Sequence, residues 1–140
     1  MTVTFTVPGA PQGKGRPRFG NGRTYTPKKT LRYETLIREA YKLQSGTYFG
    51  EAPLRMRITA YFPIPKSYTK KRRGEIVSGR QYPTKKPDGD NIEKAVLDAL
   101  NGIAYKDDIQ VIELTWSKRY ALAGERSECL LISLEEVGRV

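Results

Sequence analysis

The order of elements along this sequence predicts an α+β domain, a small mixed or antiparallel sheet with helices packed on it. Two observations carry the prediction. Residues 2–7 and 54–62 alternate apolar and polar side chains, and two further strand-like runs follow near the end of the chain. Two other segments, starting near Thr26 and Asp90, repeat apolar residues every three or four positions, as an amphipathic helix does. The resulting order is strand, helix, strand, loop, helix, strand, strand, with no internal repeat and no change of composition that would mark a boundary. A chain of 140 residues holds one core of ordinary size, so the expectation is a single domain over 1–140.

Each element has its own signal. Thr2 to Val7 sets threonines against Val3, Phe5 and Val7, a half-buried strand. In PGAPQGKGRPRFGNGR, residues 8–23, five glycines and three prolines stand among Lys14, Arg16 and Arg18, which reads as a basic loop. Thr26 before Pro27 resembles a helix cap with proline at the first helical position. From there Tyr33, Leu36, Ile37, Ala40 and Tyr41 form one face, and Ser45-Gly46 ends the helix. Leu54, Met56, Ile58, Ala60 and Phe62 then alternate with Arg55, Arg57, Thr59 and Tyr61, giving a long strand with an apolar and an arginine-bearing face. Residues 63–86 carry eight Lys/Arg against one Glu and no apolar period, which predicts a mobile basic loop. A helix from Asp90, as N-cap, to Leu100 gathers Ile92, Ala95, Val96, Ala99 and Leu100 on one side and stops at Asn101-Gly102. Strands at Gln110–Tyr120, with Ile112, Leu114, Trp116 and Tyr120 on one face, and at Cys129–Leu134 complete the order.

Composition narrows the functional classes. With 25 Lys+Arg against 15 Asp+Glu, a net charge of +10 and a pI near 9.8, the surface field draws polyanions such as nucleic acid or an anionic membrane. No stretch approaches the ~20 apolar residues of a membrane span, and MTVTFTVPGA has no basic leader before an apolar run, so the expectation is a soluble, cytoplasmic protein without a membrane partner. There is no histidine, which removes the commonest general base and zinc ligand. The single Cys129, in ECLLISLEE, reads as a buried strand thiol.

Against that basic background KKPDGDNIEKAVLDALNG stands out. Asp88 and Asp90 flank a glycine at the mouth of the second helix, behind Lys85 and Lys86. Lys94 lies one turn beyond Asp90 on the polar side, and Asp98 one turn further. A second pair, Asp107-Asp108, precedes the next strand. If the pairs converge, three or four carboxylates repel and take up protons unless a cation sits among them. Oxygen donors without His or Cys select a hard ion, Mg²⁺ or Mn²⁺, and such an ion beside a basic surface suits phosphodiester hydrolysis. The plainer alternative makes Asp90 a helix cap and Asp88 a turn residue. A calcium loop fails because Glu93 and Ala99 stand where Gly and Glu are required, and GAPQGKGR lacks the spacing and the Ser/Thr of a nucleotide loop.

PDGDNIEKAVLDALNG followed by KDDIQV resembles the signature of the RusA family of Holliday-junction resolvases, and GKGRPRF, GRTYTPKKT and YE resemble its phage-type branch. The resemblance implies a crossover junction endodeoxyribonuclease that resolves four-way DNA junctions by paired symmetric nicks in recombination and repair. It further implies a homodimer that depends on Mg²⁺, with Mn²⁺ as a substitute. Residue by residue, it places catalytic metal ligands at Asp88, Asp90 and Asp108, the catalytic lysine at Lys94, and Asp107 as a lesser candidate ligand. Candidates for the DNA contacts are Lys14, Arg16 and Arg18, or else these belong to a solvated arm; Lys70, Lys71, Arg72 and Arg73, as diffuse attraction; and Lys85 and Lys86. Tyr68, Tyr82 and Trp116 are candidates for stacking on unpaired bases, with Trp116 the more expected in the core. A non-catalytic basic DNA-binding protein, or a nuclease for other branched DNA, remains the alternative.

Overall fold

The computed structural model describes residues 1–138. Four strands make one mixed sheet in the order β1 (Thr2–Pro8), β6 (Cys129–Glu136), β4 (Leu54–Phe62), β5 (Val111–Tyr120). The pair β4 and β5 runs parallel, and β6 lies antiparallel to both β1 and β4. Parallel neighbours need a long crossover. Here it holds α2 (Lys70–Val77) and α3 (Gly89–Leu100), while α1 (Lys28–Gln44) joins the N-terminal segment to β4. The predicted α+β class holds.

Register follows the apolar alternation. Leu54, Met56, Ile58, Ala60 and Phe62 all turn to one face and are buried there with Phe5, Val7, Ile132 and Leu134. Tyr33, Ile37 and Tyr41 of α1 and Ile92, Val96 and Leu100 of α3 close over that face. Phe5 meets Tyr41 edge to face at 5.0 Å. The other face is open and polar: Arg55 bonds Glu113 on β5 and reaches Glu135 on β6 at 3.2 Å. Glu113 titrates below the usual carboxylate range because Arg55 donates to it.

Several expected boundaries move. Pro27 itself, not Thr26, caps α1, and no side chain serves there. Leu36 faces outward, and Thr30 and Glu34 take its place on the buried side. The loop 8–23 runs into a hairpin, β2 (Arg18–Gly20) and β3 (Arg23–Tyr25), turned by Asn21-Gly22, both at positive φ. The stretch 63–86 is not all loop: Thr69 accepts from the Arg72 amide at 3.2 Å and starts α2. That helix buries only Ile76, so it leaves no apolar period to detect. Gln110 closes a turn of 3-10 helix, Asp108–Gln110, and β5 begins one residue later. No helix among the described residues is long and apolar enough to cross a membrane. Cys129 is buried, as expected.

Candidate functional site

The helix α3 begins earlier than its apolar pattern suggests. Asp88, not Asp90, is the N-cap, its Oδ1 accepting from the Asn91 amide at 3.2 Å, and Asp90 sits exposed in the first turn. Both carboxylates lie where the positive end of the helix dipole favours anions. The glycine between them is demanded by packing. A Cβ on Gly89 would lie 2.2 Å from the Trp116 indole of β5. Bare backbone at the helix mouth therefore rests on the ring, and this contact sets the position of Asp88 and Asp90 over the sheet.

Asp88 opens into a cavity of about 760 Å³ lined also by Lys14, Arg16, Thr84, Lys85, Lys86, Asn91 and Lys118. It is the one carboxylate in a lining that carries five cations. Two close approaches bring the glycine-rich loop to it. The Lys14 amide donates to the Asn91 carbonyl at 3.0 Å, and the Gly15 amide to Thr30 Oγ1 at 2.8 Å. A Cβ on Gly13 would meet Asn91 at 2.8 Å, and one on Gly15 would meet Thr30 at 2.7 Å. The segment is thus clamped onto α3 and α1 and is not a free arm. Lys118, which no sequence motif singled out, enters from the end of β5 and donates to the Lys85 carbonyl at 2.6 Å. Its strand alternation with Trp116 was the available signal.

Lys14 is engaged by its own chain. Its ammonium bonds Asp98 of α3 and, at 3.3 Å, the buried Glu34 of α1. Burial works against the charge, but the two carboxylates outweigh it and hold the lysine above its ordinary value. The residue cross-links the loop to both helices.

The second aspartate pair lies at the far end of α3. Asp90, Lys94 and Asp98 succeed one another at intervals of one turn, and Asp98 is in the field of Asp108. The Asp108 carboxyl is raised by burial, then by a hydrogen bond and charge from Asp107, then by Asp98. Asp107 is occupied in a reciprocal cap: it accepts from the Ile109 amide at 3.3 Å, while Gln110 Oε1 accepts from its own amide at 3.0 Å. Gln110 in turn donates to the carbonyls of Gly50 and Ala52, and the Tyr105 hydroxyl to Leu97 O at 2.9 Å, so the loop 101–110 is firmly held. Tyr105 is driven up by burial and by Asp108, Asp98 and Asp107. At 1.5 Å per residue, Asp88 and Asp98 stand about 15 Å apart along the helix. Among the described residues no group of three or more carboxylates or thiolates is placed to hold a metal ion. Oxygen donors suit Mg²⁺, but one chain keeps Asp88 and Asp90 apart from Asp108.

The other basic candidates divide by what they touch. Arg18 is exposed at the hairpin, and Lys70 and Lys71 are exposed on α2. Arg73 donates to the carbonyls of Tyr68, Pro65 and Lys66 and holds the entry to α2. Arg72 lies 3.7 Å over the Tyr68 ring and bonds Gln81. Trp116 is not core: packed by Gly89 on one side, it remains 44% exposed at the sheet edge.

Two comparisons with known proteins bear on this arrangement. A family described as "Endodeoxyribonuclease RusA" matches residues 8–128. A protein of Bacillus subtilis (strain 168) named "Uncharacterized protein YqaN" is 37% identical over 125 residues, covering 85% of this chain and 88% of that protein.

Proposed function

The chain belongs to the RusA endodeoxyribonuclease family, and from that premise we propose that it is a Mg²⁺-dependent resolvase that cuts four-way DNA junctions by paired symmetric nicks. Recombination and repair are the processes that need such a cut. The observation that carries the reading is the cavity at the mouth of α3, where Asp88 faces a rim of cations. Arg16, Lys85, Lys86 and Lys118 neutralise the phosphodiester and bring it to the helix N-terminus. Asp88 and Asp90 hold the ion, with Asp108 as third ligand, since Asp107 is already committed to its cap. Lys94, one turn from Asp90, steadies charge that develops on the phosphoryl oxygens. Held by these carboxylates, Mg²⁺ would supply Lewis-acid polarisation of the phosphoryl group and a more nucleophilic water.

The distance between the carboxylates within one chain supports a homodimer as the working unit. The strand β5 is an edge of the sheet, with Ile112 57% and Trp116 44% exposed. An edge with exposed apolar side chains is a template for pairing. Two copies joined antiparallel along β5 about a two-fold axis bring Asp108, before the start of one strand, toward Trp116 in the middle of the other, over which Asp88 and Asp90 stand. Each site then takes two ligands from one copy and one from the other, and two sites face the two symmetric cuts. The same separation within one chain also favours a non-catalytic DNA-binding role, which the following experiment separates.

The test is cleavage of an immobile four-way junction and of linear duplex with the same arms, in Mg²⁺ and in EDTA. Wild type nicks the junction symmetrically and only with the ion, while Asp90→Asn and Asp108→Asn bind without cutting. Mixing the two inactive variants restores single-strand nicks, because one site of each mixed dimer is intact. Binding without cutting by wild type under any divalent ion sinks the nuclease reading. Active wild type with no complementation sinks the shared site.

A further inference from the structure

A second cavity, of about 530 Å³, opens at the carboxyl ends of the parallel strands β4 and β5, under α2. Its size falls in the range of small-ligand sites, ~300–1,000 Å³, and crevices beyond the carboxyl ends of parallel strands are favoured places for ligands. Three tyrosines and two arginines line it, beside the aliphatic Ile76, Val77 and Leu122. Tyr61 ends β4, Arg119 and Tyr120 end β5, and Tyr82 and Arg126 enter from the loops on either side. Tyr82 is 56% exposed. Neither Arg119 nor Arg126 makes an ion pair among the described residues. Arg126 lies instead 4.9 Å over the Tyr61 ring. Glu125 is the one carboxylate in the lining, so the cavity is net positive. Nothing in the phosphodiester chemistry at Asp88 uses these groups.

Location ties the cavity to DNA. Lys118 borders the Asp88 cavity, and Arg119 and Tyr120, the next residues of β5, border this one. Lys118 and Tyr120 project from one face of β5 and Arg119 from the other, and residues 81–86 run from this cavity, at Tyr82, to that of Asp88, at Thr84 and Lys85. At ~3.3 Å per strand residue, a phosphate beside Lys118 lies within a few nucleotides of the second cavity. Tyrosine faces stack on any base, and arginine pairs with the phosphates that flank it. A branch point is where bases leave the helical stack at least expense, because their stacking is already interrupted. We propose that this cavity receives one unpaired nucleobase next to the branch point, stacked on Tyr82, with Arg119 and Arg126 on the adjoining phosphates. The inference rests on the junction reading above and adds to it a physical basis for preferring branched DNA over duplex.

Binding is measured in EDTA, so that nothing is cut, to a four-way junction, to the same junction with one abasic nucleotide placed in turn at each position around the branch, to duplex, and to single strand. Loss of one base stack predicts that Tyr82→Ala binds the intact junction roughly 5- to 150-fold more weakly, while Tyr82→Phe binds as wild type. At one position the abasic junction is weakened for wild type and no further by Tyr82→Ala. A full Tyr82→Ala loss at every abasic position, or no loss on the intact junction, overturns the pocket. Thermal unfolding of each variant checks that this exposed substitution leaves the fold intact. Failure of the junction reading looks different: without junction preference, the same Tyr82 dependence on single strand keeps the pocket, and its absence there removes it.

Discussion

Replacing Gly89 with alanine is the smallest change that tests how α3 is seated. The added methyl would lie 2.2 to 2.3 Å from three atoms of the Trp116 ring, far inside contact distance. A rigid indole between α3 and the sheet yields only by shifting helix or ring, and forced overpacking of this kind costs about 1–3 kcal/mol. For a chain of this size that is a fall in Tm of about 3–10 °C. Helix propensity acts in the opposite sense, by at most ~1 kcal/mol in favour of alanine, so at full offset the net loss shrinks to about 0–2 kcal/mol and the fall in Tm with it. The assay is a double-mutant cycle by urea denaturation with Trp116→Ala as partner. On the Trp116→Ala background the obstruction is gone, and Gly89→Ala becomes neutral or stabilising. Junction cleavage by the single variant falls further than stability does, because displacing the helix mouth moves Asp88 and Asp90 together. Equal losses from Gly89→Ala on both backgrounds would refute the account of this contact.

Further outcomes follow from other parts of the molecule. Lys14→Met removes the cation between Asp98 and the buried Glu34, and leaving a buried carboxylate unpaired destabilises by about 1–3 kcal/mol; adding Glu34→Gln recovers part of the loss in the same denaturation assay. Lys118→Gln and Lys85→Gln each weaken duplex and junction binding alike and reduce the salt slope of log K by about 0.9 for each phosphate that is no longer neutralised, measured by titration at several salt concentrations; an unchanged slope argues against a phosphate at that lysine. Glu113 is held below its unfolded carboxyl value by Arg55. Its contribution to stability is therefore present above the unfolded value and lost as pH falls through the folded one. Glu113→Gln lowers the urea midpoint near neutral pH, and the difference from wild type closes in that acidic window; a difference independent of pH removes the ion pair as its cause.

Much of this is legible in the sequence, for reasons of range. Alternation in 2–7 and 54–62 and the three-and-four spacing in α1 and α3 report which side of each element is buried, and that pattern is local. The charge balance and Asp-Gly-Asp-Asn beside two lysines likewise need no fold to be noticed. Signals that rest on few residues escape such a reading: the Asn21-Gly22 turn joins strands of three residues, and α2 buries only Ile76. The start of α3 is ambiguous in sequence because Asp88 and Asp90 are equally good caps. Packing of Gly89 on Trp116 marks where the backbone reaches the sheet.

What the tertiary structure alone decided concerns residues far apart in the chain. The parallel pairing of β4 and β5 carries Lys118 to the cavity of Asp88, the glycine loop brings Lys14 to Asp98 across 84 positions, and Trp116, on an apolar face, is left at an edge. It also laid Asp88 and Asp108 toward opposite ends of one helix, although they are only twenty positions apart in sequence. The physical reason is that period and propensity act through neighbours, whereas strand order is chosen by which apolar faces bury one another, and that choice is made by the whole chain at once.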